Sequence, residues 1–242
     1  MKQLLKILLL CGVSFGFALT GEEILRKVDK QLNFASAILS MRMEIYLPNQ
    51  PVRIKRMKSW IKNDNAYVEF LNKEDKNTRY LKLKKQMWVY DGEENNTFLI
   101  SGHLLKQGMM GSDVSYEDAL EADDVYEKYT IQLLGEEKYG EYDCYVVELV
   151  AKVKEVAYHR RKMWVDKATF VPVREERYAL SGKLLKVQET SSITSVGGRW
   201  YGVVTTVSDQ LRKNTKTVVV IEEAAFDVPV SDTYFTRRHL ER

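Results

Sequence analysis

The chain has 242 residues, of which 45% are hydrophobic and 29% are charged, with four prolines and two cysteines. That length and apolar content fit one packed domain, which we place at residues 21–242, and no Gly/Ser-rich run suggests a linker. The formal net charge is only +3 at pH 7. Nucleic-acid binders usually carry a marked basic excess or a basic stripe, so we expect no nucleic-acid partner.

Residues 1–20 have the pattern of an export signal peptide. Lys2 and Lys6 precede an apolar run that ends in small residues. The uncharged run of about 13 residues is shorter than the roughly 20 needed to cross a bilayer. We therefore expect export to the periplasm of a two-membrane bacterium. Two alternatives stay open: a retained anchor, because no clear A-x-A cleavage motif is present, and a lipid anchor at Cys11, although bulky leucines precede that cysteine.

The first predicted element after the signal is an amphipathic helix over residues 21–35. Thr20 and Glu23 form a capping-box pattern, and apolar residues then recur at helical spacing. From residue 41 the apolar period changes to two, which is typical of strands with one covered face. The strands predicted in the first half are 41–47, 53–61, 67–71, 80–84, 86–91 and 97–101.

A second capping-box pattern runs from Ser115 to Asp118 and predicts a short helix over 116–127. Strand patterns then resume at 129–136, 142–153, 161–166, 171–179, 184–193, 199–209 and 215–224. So many short strands indicate one large antiparallel sheet, and a sheet of that size normally curls or closes. We therefore predict a mainly β fold: a bent sheet with helices packed into its hollow.

The residue pattern offers no constellation for catalysis or metal binding. His103, His159 and His239 are widely separated, and none is paired with a cysteine or carboxylate at ligand spacing. Ser59 and Lys62 match an S-x-x-K string, but its companion motifs S-D-N and K-T-G are absent, and the two side chains of this strand point to opposite faces. We expect no enzyme, no metal and no cofactor. Cys144 in mid-strand, with no histidine near it in sequence, reads as a packed thiol.

Aromatic and methionine residues are concentrated in the first half of the chain. Aromatic side chains supply large apolar area, and methionine adapts its shape to irregular partners. One face of these strands could therefore line a cavity for acyl chains, with ordinary core packing as the alternative. The basic stretches at 53–58 and 82–85 read as a solvated outer face or as a patch for anionic lipid or an acidic partner.

Several blocks of the chain resemble the outer-membrane lipoprotein-sorting proteins, the LolA-like family. They include the strands Trp60-Ile61-Lys62 and Met87-Trp88-Val89-Tyr90-Asp91, and Gly111-Ser112-Asp113-Val114-Ser115-Tyr116-Glu117-Asp118, which resembles the signature G-S-D-F-S-Y-E-D. Trp164-Val165-Asp166, Val171-Pro172-Val173-Arg174, Gly198-Arg199-Trp200 and the end of the chain from Phe235 to Arg242 also fit. The resemblance covers nearly all of residues 21–242.

The resemblance implies a strongly bent, incomplete antiparallel β-barrel with short helices over its concave side. It also implies a monomeric periplasmic carrier that holds acyl chains of lipoproteins or lipids and delivers them toward the outer membrane. Its partners would be an inner-membrane transporter, an outer-membrane receptor or both. The alternative is an envelope regulatory or accessory protein, such as an RseB-like sensor or a partner of a lipid transporter.

From the resemblance and the strand alternation we predict a set of cavity-lining residues: Met41, Met43, Ile45, Trp60, Phe70, Leu83, Met87, Val89, Tyr116 and Leu120. A register shift of one residue would turn the strand members outward, with Trp88 and Tyr90 replacing Met87 and Val89. LolA-type carriers have an arginine after the W-V-K strand that latches the lid helices. Here that position is Asn63, which has no charge to pair.

Overall fold

The computed structural model describes residues 19–32, 34–75, 77–120 and 125–242. The predicted signal peptide, with Cys11, lies almost entirely outside the described residues. The predicted division into a signal peptide and a single domain over 21–242 stays a prediction.

Thirteen antiparallel strands form one curved sheet, in the order β6-β5-β4-β3-β2-β1-β13-β12-β11-β10-β9-β8-β7. The two end strands, β6 and β7, do not pair, so the barrel is incomplete. The mainly β fold class and all the predicted strands are confirmed, with bounds shifted by a few residues. The strands are β1 Ser36–Tyr46, β2 Arg53–Lys62, β3 Asn65–Phe70, β4 Arg79–Leu83, β5 Gln86–Asp91, β6 Asn96–Ile100, β7 Tyr129–Tyr139, β8 Tyr142–Ala151, β9 Arg160–Asp166, β10 Pro172–Tyr178, β11 Leu184–Val196, β12 Arg199–Asp209 and β13 Lys216–Phe226.

The first helix, α1, spans Gly21–Leu32 and begins with the predicted capping box. The Glu23 backbone N–H donates to Thr20 Oγ1 at 3.2 Å, and the Thr20 N–H donates to Glu23 Oε2 at 2.8 Å. Three further short α-helices are α2 Tyr116–Leu120, α3 Val125–Lys128 and α4 Arg237–Leu240. The helix predicted over 116–127 corresponds to α2 and α3, with residues 121–124 outside the described part. In the part of the chain that the structure describes, no helix has the length and apolar character needed to cross a membrane.

The concave face of the sheet carries two apolar clusters, one at each end. At the β7–β9 end, α1 packs against the sheet, and the buried members of this helix cluster are Ile24, Leu25, Val28, Tyr129, Val147, Leu149, Met163 and Val165. At the β1–β6 end, residues 102–120 cross the sheet and cover it. This cover segment contains two 3₁₀ turns, Gly102–Lys106 and Met109–Gly111, followed by α2.

The convex face is covered in one place by the end of the chain. A C-terminal strap, residues 231–242, comprises the 3₁₀ turn Asp232–Phe235 and α4. Leu240 of this strap is fully buried against Tyr67 and Leu81 of the sheet. The short helices therefore lie on both faces, because the outer face of β2–β5 is also apolar.

Candidate functional site

Most of the methionines of the chain meet in one place, between the sheet and the cover segment. The buried residues of this methionine cluster are Met43, Ile45, Met57, Phe70, Tyr80, Met87, Val89 and Ile100. Met41 from the sheet and Met109 and Met110 from the cover segment pack against it. The cluster thus holds six of the eight methionines of the chain.

Strand pairing explains why these side chains share the concave face. Met43 of β1 lies opposite Val219 of β13, and Met41 lies opposite Met57 of β2. Residues directly opposite in an antiparallel ladder project to the same face, and residues two apart along a strand do so as well. The concave surface from β13 through β1 to β6 is therefore largely apolar, and Ser59 and the Lys55–Asp75 ion pair are buried within it.

The structure places eight of the ten predicted cavity residues in this cluster: Met41, Met43, Ile45, Phe70, Met87, Val89, Tyr116 and Leu120. The placement of Trp60 and Leu83 on the concave face was wrong. Both lie on the convex face, where they pack with the C-terminal strap. The alternative register, with Trp88 and Tyr90 inside, was also wrong, since both belong to the convex cluster. Acyl-chain binding by the eight residues stays a prediction.

The physical reason for the error is that strands of this half are apolar on both faces. Trp60 stacks on Tyr234 of the strap, with 4.7 Å between ring centroids and 15° between planes. Alternation assigns residues to two sets but does not say which set faces inward when both are apolar. The strap gives the second set its own buried environment.

A cavity of about 220 Å³ opens between the two concave clusters. Its apolar walls include Leu105 and Leu120 from the methionine cluster side, and Val125, Tyr129 and Val156 from the helix cluster side. Charged side chains line the rest of it, among them Lys85, Glu117, Lys128 and Glu155. This cavity connects the two apolar regions and presents them to solvent.

Asp118 of α2 anchors the cover segment to β10 and β11 of the sheet. Arg177 of β10 donates to Asp118 Oδ1 at 2.9 Å, and Tyr158 donates to the same oxygen at 2.7 Å. Lys186 of β11 forms an ion pair with Oδ2, which also accepts from the Ser115 hydroxyl at 2.6 Å. Burial would raise the pKa of Asp118, but the charges of Lys186 and Arg177 lower it to about 2.

The capping box at the start of α2 is thus part of this anchor. The Ser115 N–H donates to Asp118 Oδ2 at 2.9 Å, and the Asp118 N–H donates to Ser115 Oγ at 3.2 Å. The same carboxylate caps the helix and pairs with the cations of the sheet. Because a buried charge without partners is costly, α2 has one strongly preferred position on the sheet.

Asp113 forms a second anchor near the start of the motif. It is 2% exposed, and its carboxylate accepts from Thr215 at 2.7 Å and from Thr217 at 3.2 Å. Arg212, in the turn after β12, donates to Asp113 Oδ1 at 3.2 Å and to the Ser112 carbonyl at 2.8 Å. The G-S-D block therefore ties the cover segment to β13 and the preceding turn.

Asn63, at the position of the expected latch arginine, has a local role in the β2–β3 hairpin. Its φ is 51°, in the left-handed region that asparagine tolerates better than most residues. Its backbone N–H donates to the Ala35 carbonyl at 3.0 Å. The cover segment is held from the β10–β13 side, through Asp118 and Asp113, rather than from this turn.

The other sequence candidates for chemistry lie apart from one another. Ser59 faces the concave side and is 2% exposed, whereas Lys62 pairs with Asp232 of the strap at 2.7 Å on the convex side. Cys144 is fully buried in β8, and burial raises the pKa of its thiol to about 11. Among the described residues, no group of three or more histidine, cysteine or acidic side chains is placed to hold a metal ion.

A family model described as "Uncharacterized protein" matches residues 62–242, well over half of the chain. The chain belongs to this family. None of the curated proteins matches it.

Solved structures of similar proteins cover nearly all of the chain. A DUF1329 family protein from Desulfovibrio piger is 28% identical, with a TM-score of 0.82, over 91% of this chain and 97% of its own. A putative outer membrane lipoprotein-sorting protein domain from Vibrio parahaemolyticus is 22% identical, with a TM-score of 0.78, over 92% of this chain and 98% of its own. A LolA superfamily protein from Nitrosomonas europaea is 22% identical, with a TM-score of 0.75, over 92% of this chain and 100% of its own. The fold is LolA-like, as the sequence resemblance implied.

In this LolA-like fold, the anchors of the cover segment are residues that sequence reasoning missed. The G-S-D-V-S-Y-E-D block was recognised as a motif, but Asp113 was assigned no role and Asp118 only that of a cap. Lys186, Arg177 and Tyr158 lie on strands or loops 40 or more residues away from Asp118 and gave no local signal. A charged residue at an inward position of a strand, such as Lys186, is the one available hint that a partner covers it.

Proposed function

We propose that this protein binds the acyl chains of lipids or lipoproteins beneath the cover segment and carries them across the periplasm toward the outer membrane. The observation that carries the proposal is the methionine cluster, in which six methionines meet at the contact between the sheet and the cover segment. Methionine is unbranched and polarizable, so a cluster of it can repack around a flexible chain. The LolA-like fold is consistent with this role.

Hydrophobic burial supplies enough energy for such binding. Each buried methylene contributes about 0.8 kcal/mol, so a chain of about 16 carbons has a gross drive on the order of 12 kcal/mol. Part of that offsets the loss of motional freedom of the ligand. The site therefore needs apolar walls more than it needs specific hydrogen bonds.

The cavity between the two concave clusters is too small for a whole acyl chain. Its volume of about 220 Å³ lies below the 300–1,000 Å³ common for ligand pockets. Loading therefore requires the cover segment to move or the methionines to repack. The cavity, with Leu120 at its wall, is the entry point where a chain tip first reaches the cluster.

Release follows from the same geometry. A receptor that binds the protein with the cover segment in the position seen here would favour the form in which the residues of the methionine cluster pack against one another. Cargo would then be released, because this form leaves no room for it. An inner-membrane transporter for loading and an outer-membrane receptor for unloading are the partners that such a cycle needs. The carrier would work as a monomer.

The proposal is tested by native mass spectrometry and lipid extraction of protein purified gently from the periplasm, together with titration of a fluorescent fatty acid. Co-purified lipid or lipoprotein and saturable probe binding are expected. Leu120→Gln at the cavity wall should weaken probe binding by about tenfold, because it places an amide where the chain enters. Leu180→Gln is the matched control, since Leu180 is 76% exposed in the turn between β10 and β11.

Equal binding by the Leu120 and Leu180 variants would show that the probe binds elsewhere. A protein that is empty after gentle purification and does not bind the probe would refute acyl-chain carriage. Repeated capture of a membrane-protein partner by such an empty protein would instead favour the regulatory alternative.

A further inference from the structure

The cover segment has two chemically different sides. Met109 and Met110 pack into the methionine cluster, and the Tyr80 hydroxyl donates to Met110 Sδ at 3.3 Å. The neighbouring residues Gly108 and Ser112 line a second cavity, of about 470 Å³. One stretch of a few residues thus separates an apolar cluster from a polar cavity.

Three cations from three separate elements line this second cavity. They are Lys106 of the cover segment, Lys186 of β11 and Arg212 of the turn after β12. The acidic residues in its lining are Asp113 and Asp209. The cavity lining therefore carries an excess of one positive charge.

The two carboxylates of the lining are already engaged within the protein. Asp113 accepts from Thr215, Thr217 and Arg212, and Asp209 Oδ1 accepts from the Leu211 N–H at 2.8 Å. By contrast, the Lys106 side chain is exposed and makes no ion pair with any described residue. Lys186 pairs with Asp118, and Arg212 pairs with Asp113, so Lys106 is the cation of this lining that remains for a ligand.

A tight turn that contains two glycines forms the cover side of the cavity. Gly108 approaches the Ser112 carbonyl so closely that an added Cβ would lie 1.8 Å from that oxygen, and Gly111 has a φ of +78°. These glycines allow a tight turn with small side chains next to the cations. A cavity of this volume lies within the range of ordinary ligand sites.

We infer that this second cavity binds an anionic headgroup, phosphate in the first instance, of an amphiphile whose acyl chain occupies the methionine cluster. The inference rests on the proposed acyl-chain binding and specifies its cargo. Lys106 would supply a mobile point charge to the phosphate, and the Arg212 guanidinium, which already pairs with Asp113, would lie beside it. The cover segment would lie between headgroup and chain, in contact with both.

The test compares two lipids with the same acyl chain: a lysophospholipid with a phosphoglycerol headgroup and an uncharged monoacylglycerol. Both are titrated against the full chain, with and without inorganic phosphate. The charged lipid should bind about tenfold more tightly than the uncharged one. Inorganic phosphate should weaken the binding of the charged lipid and leave that of the uncharged lipid unchanged. Lys106→Gln should reduce the preference to about twofold, whereas Lys213→Gln, the same change on an exposed neighbour of Arg212, should leave it intact.

Three results would overturn the inference in distinguishable ways. If both lipids bind equally, the acyl site stands and the headgroup site does not exist. If inorganic phosphate binds through Lys106 but the lipids show no preference, the cavity is a site for free anions and not for a lipid headgroup. If neither lipid binds, the proposed function has failed as well.

Discussion

Arg177 Nη1 in β10 lies 2.9 Å from Asp118 Oδ1 in the cover segment, and the two residues are 59 positions apart in the sequence. Their side chains are 12% and 9% exposed, respectively. This pair, together with Lys186, decides where α2 sits on the concave face. The cover segment is therefore fixed by ion pairs with β10 and β11 and by apolar contact over the methionine cluster.

Asp118→Asn should destabilise the protein by about 3–5 kcal/mol, because it leaves the buried Lys186 without its counter-charge and removes one of the two carboxylate partners of Arg177. Chemical denaturation with a tryptophan signal measures this. Glu22→Gln is the control, since it removes an exposed ion pair with Arg26 on α1 and should change stability little. Similar effects of the two changes would show that the Asp118 pair is not a structural anchor.

Stability should fall steeply between about pH 4 and pH 2. The pKa of Asp118 is lowered to about 2, below its ordinary value of 3.8, and that of Glu175 is lowered to about 2 from 4.5. Burial opposes both shifts, but Lys186 and Arg177 lower the pKa of Asp118, and Arg161 and Arg177 lower that of Glu175.

In this window the unfolded chain binds protons that the folded chain does not. The stabilisation is thus complete above the unfolded pKa values and is lost as pH falls toward 2. Urea titrations at several pH values give the slope. Asp118→Asn should make that slope shallower, and an unchanged slope would assign the acid sensitivity to other groups.

Leu240→Ala should loosen the C-terminal strap. Leu240 is fully buried against the convex face, so the loss should be about 2–5 kcal/mol. Leu211→Ala removes the same atoms from a side chain that is 57% exposed and should cost less than about 0.5 kcal/mol. Thermal unfolding of both variants makes the comparison. If the strap adds no stability, the two melting temperatures will agree.

Gly108→Ala should displace the cover segment although the backbone itself tolerates alanine there. The φ of Gly108 is −72°, so no strain arises from the dihedral angle, but the added Cβ would lie 1.8 Å from the Ser112 carbonyl oxygen. Proteases should then cut within residues 102–120 several times faster than in the native protein.

Gly182→Ala is the control for that experiment. Gly182 has a φ of +80° with nothing within 4 Å of an added Cβ, so only the local cost of a left-handed alanine, about 1 kcal/mol, applies. Its cover segment should resist proteolysis like that of the native protein. Unchanged proteolysis of Gly108→Ala would mean that the turn around Ser112 yields easily.

Local sequence signals determined the strands and the starts of α1 and α2, but not α4 or the 3₁₀ turns. Period-two patterns marked every strand, and the two capping boxes, at Thr20 and Ser115, marked where α1 and α2 begin. These signals are readable because each depends on residues within a few positions of one another. A large sheet with helices packed into it followed from the number of strands.

The tertiary structure decided which face of each strand is inside. In β5, Met87 and Val89 face the cover segment, while Trp88 and Tyr90 face the strap, and all four are apolar or aromatic. Burial of either set would satisfy the hydrophobic effect, so alternation alone could not choose between them. The orientation of each strand is set by contacts with residues that are distant in sequence. The cover segment makes these contacts on the concave face, and the strap makes them on the convex face.

The anchoring network was decided in the same way. The ion pairs from Asp118 to Lys186 and Arg177 join residues 68 and 59 positions apart. From the local sequence, a carboxylate in a capping box is expected to be a solvated helix cap. The cations that neutralise Asp118 are distant in sequence and come close to it only when the sheet curls. The sequence thus specified a container with a helical cover, and only the folded sheet determined how that cover is held.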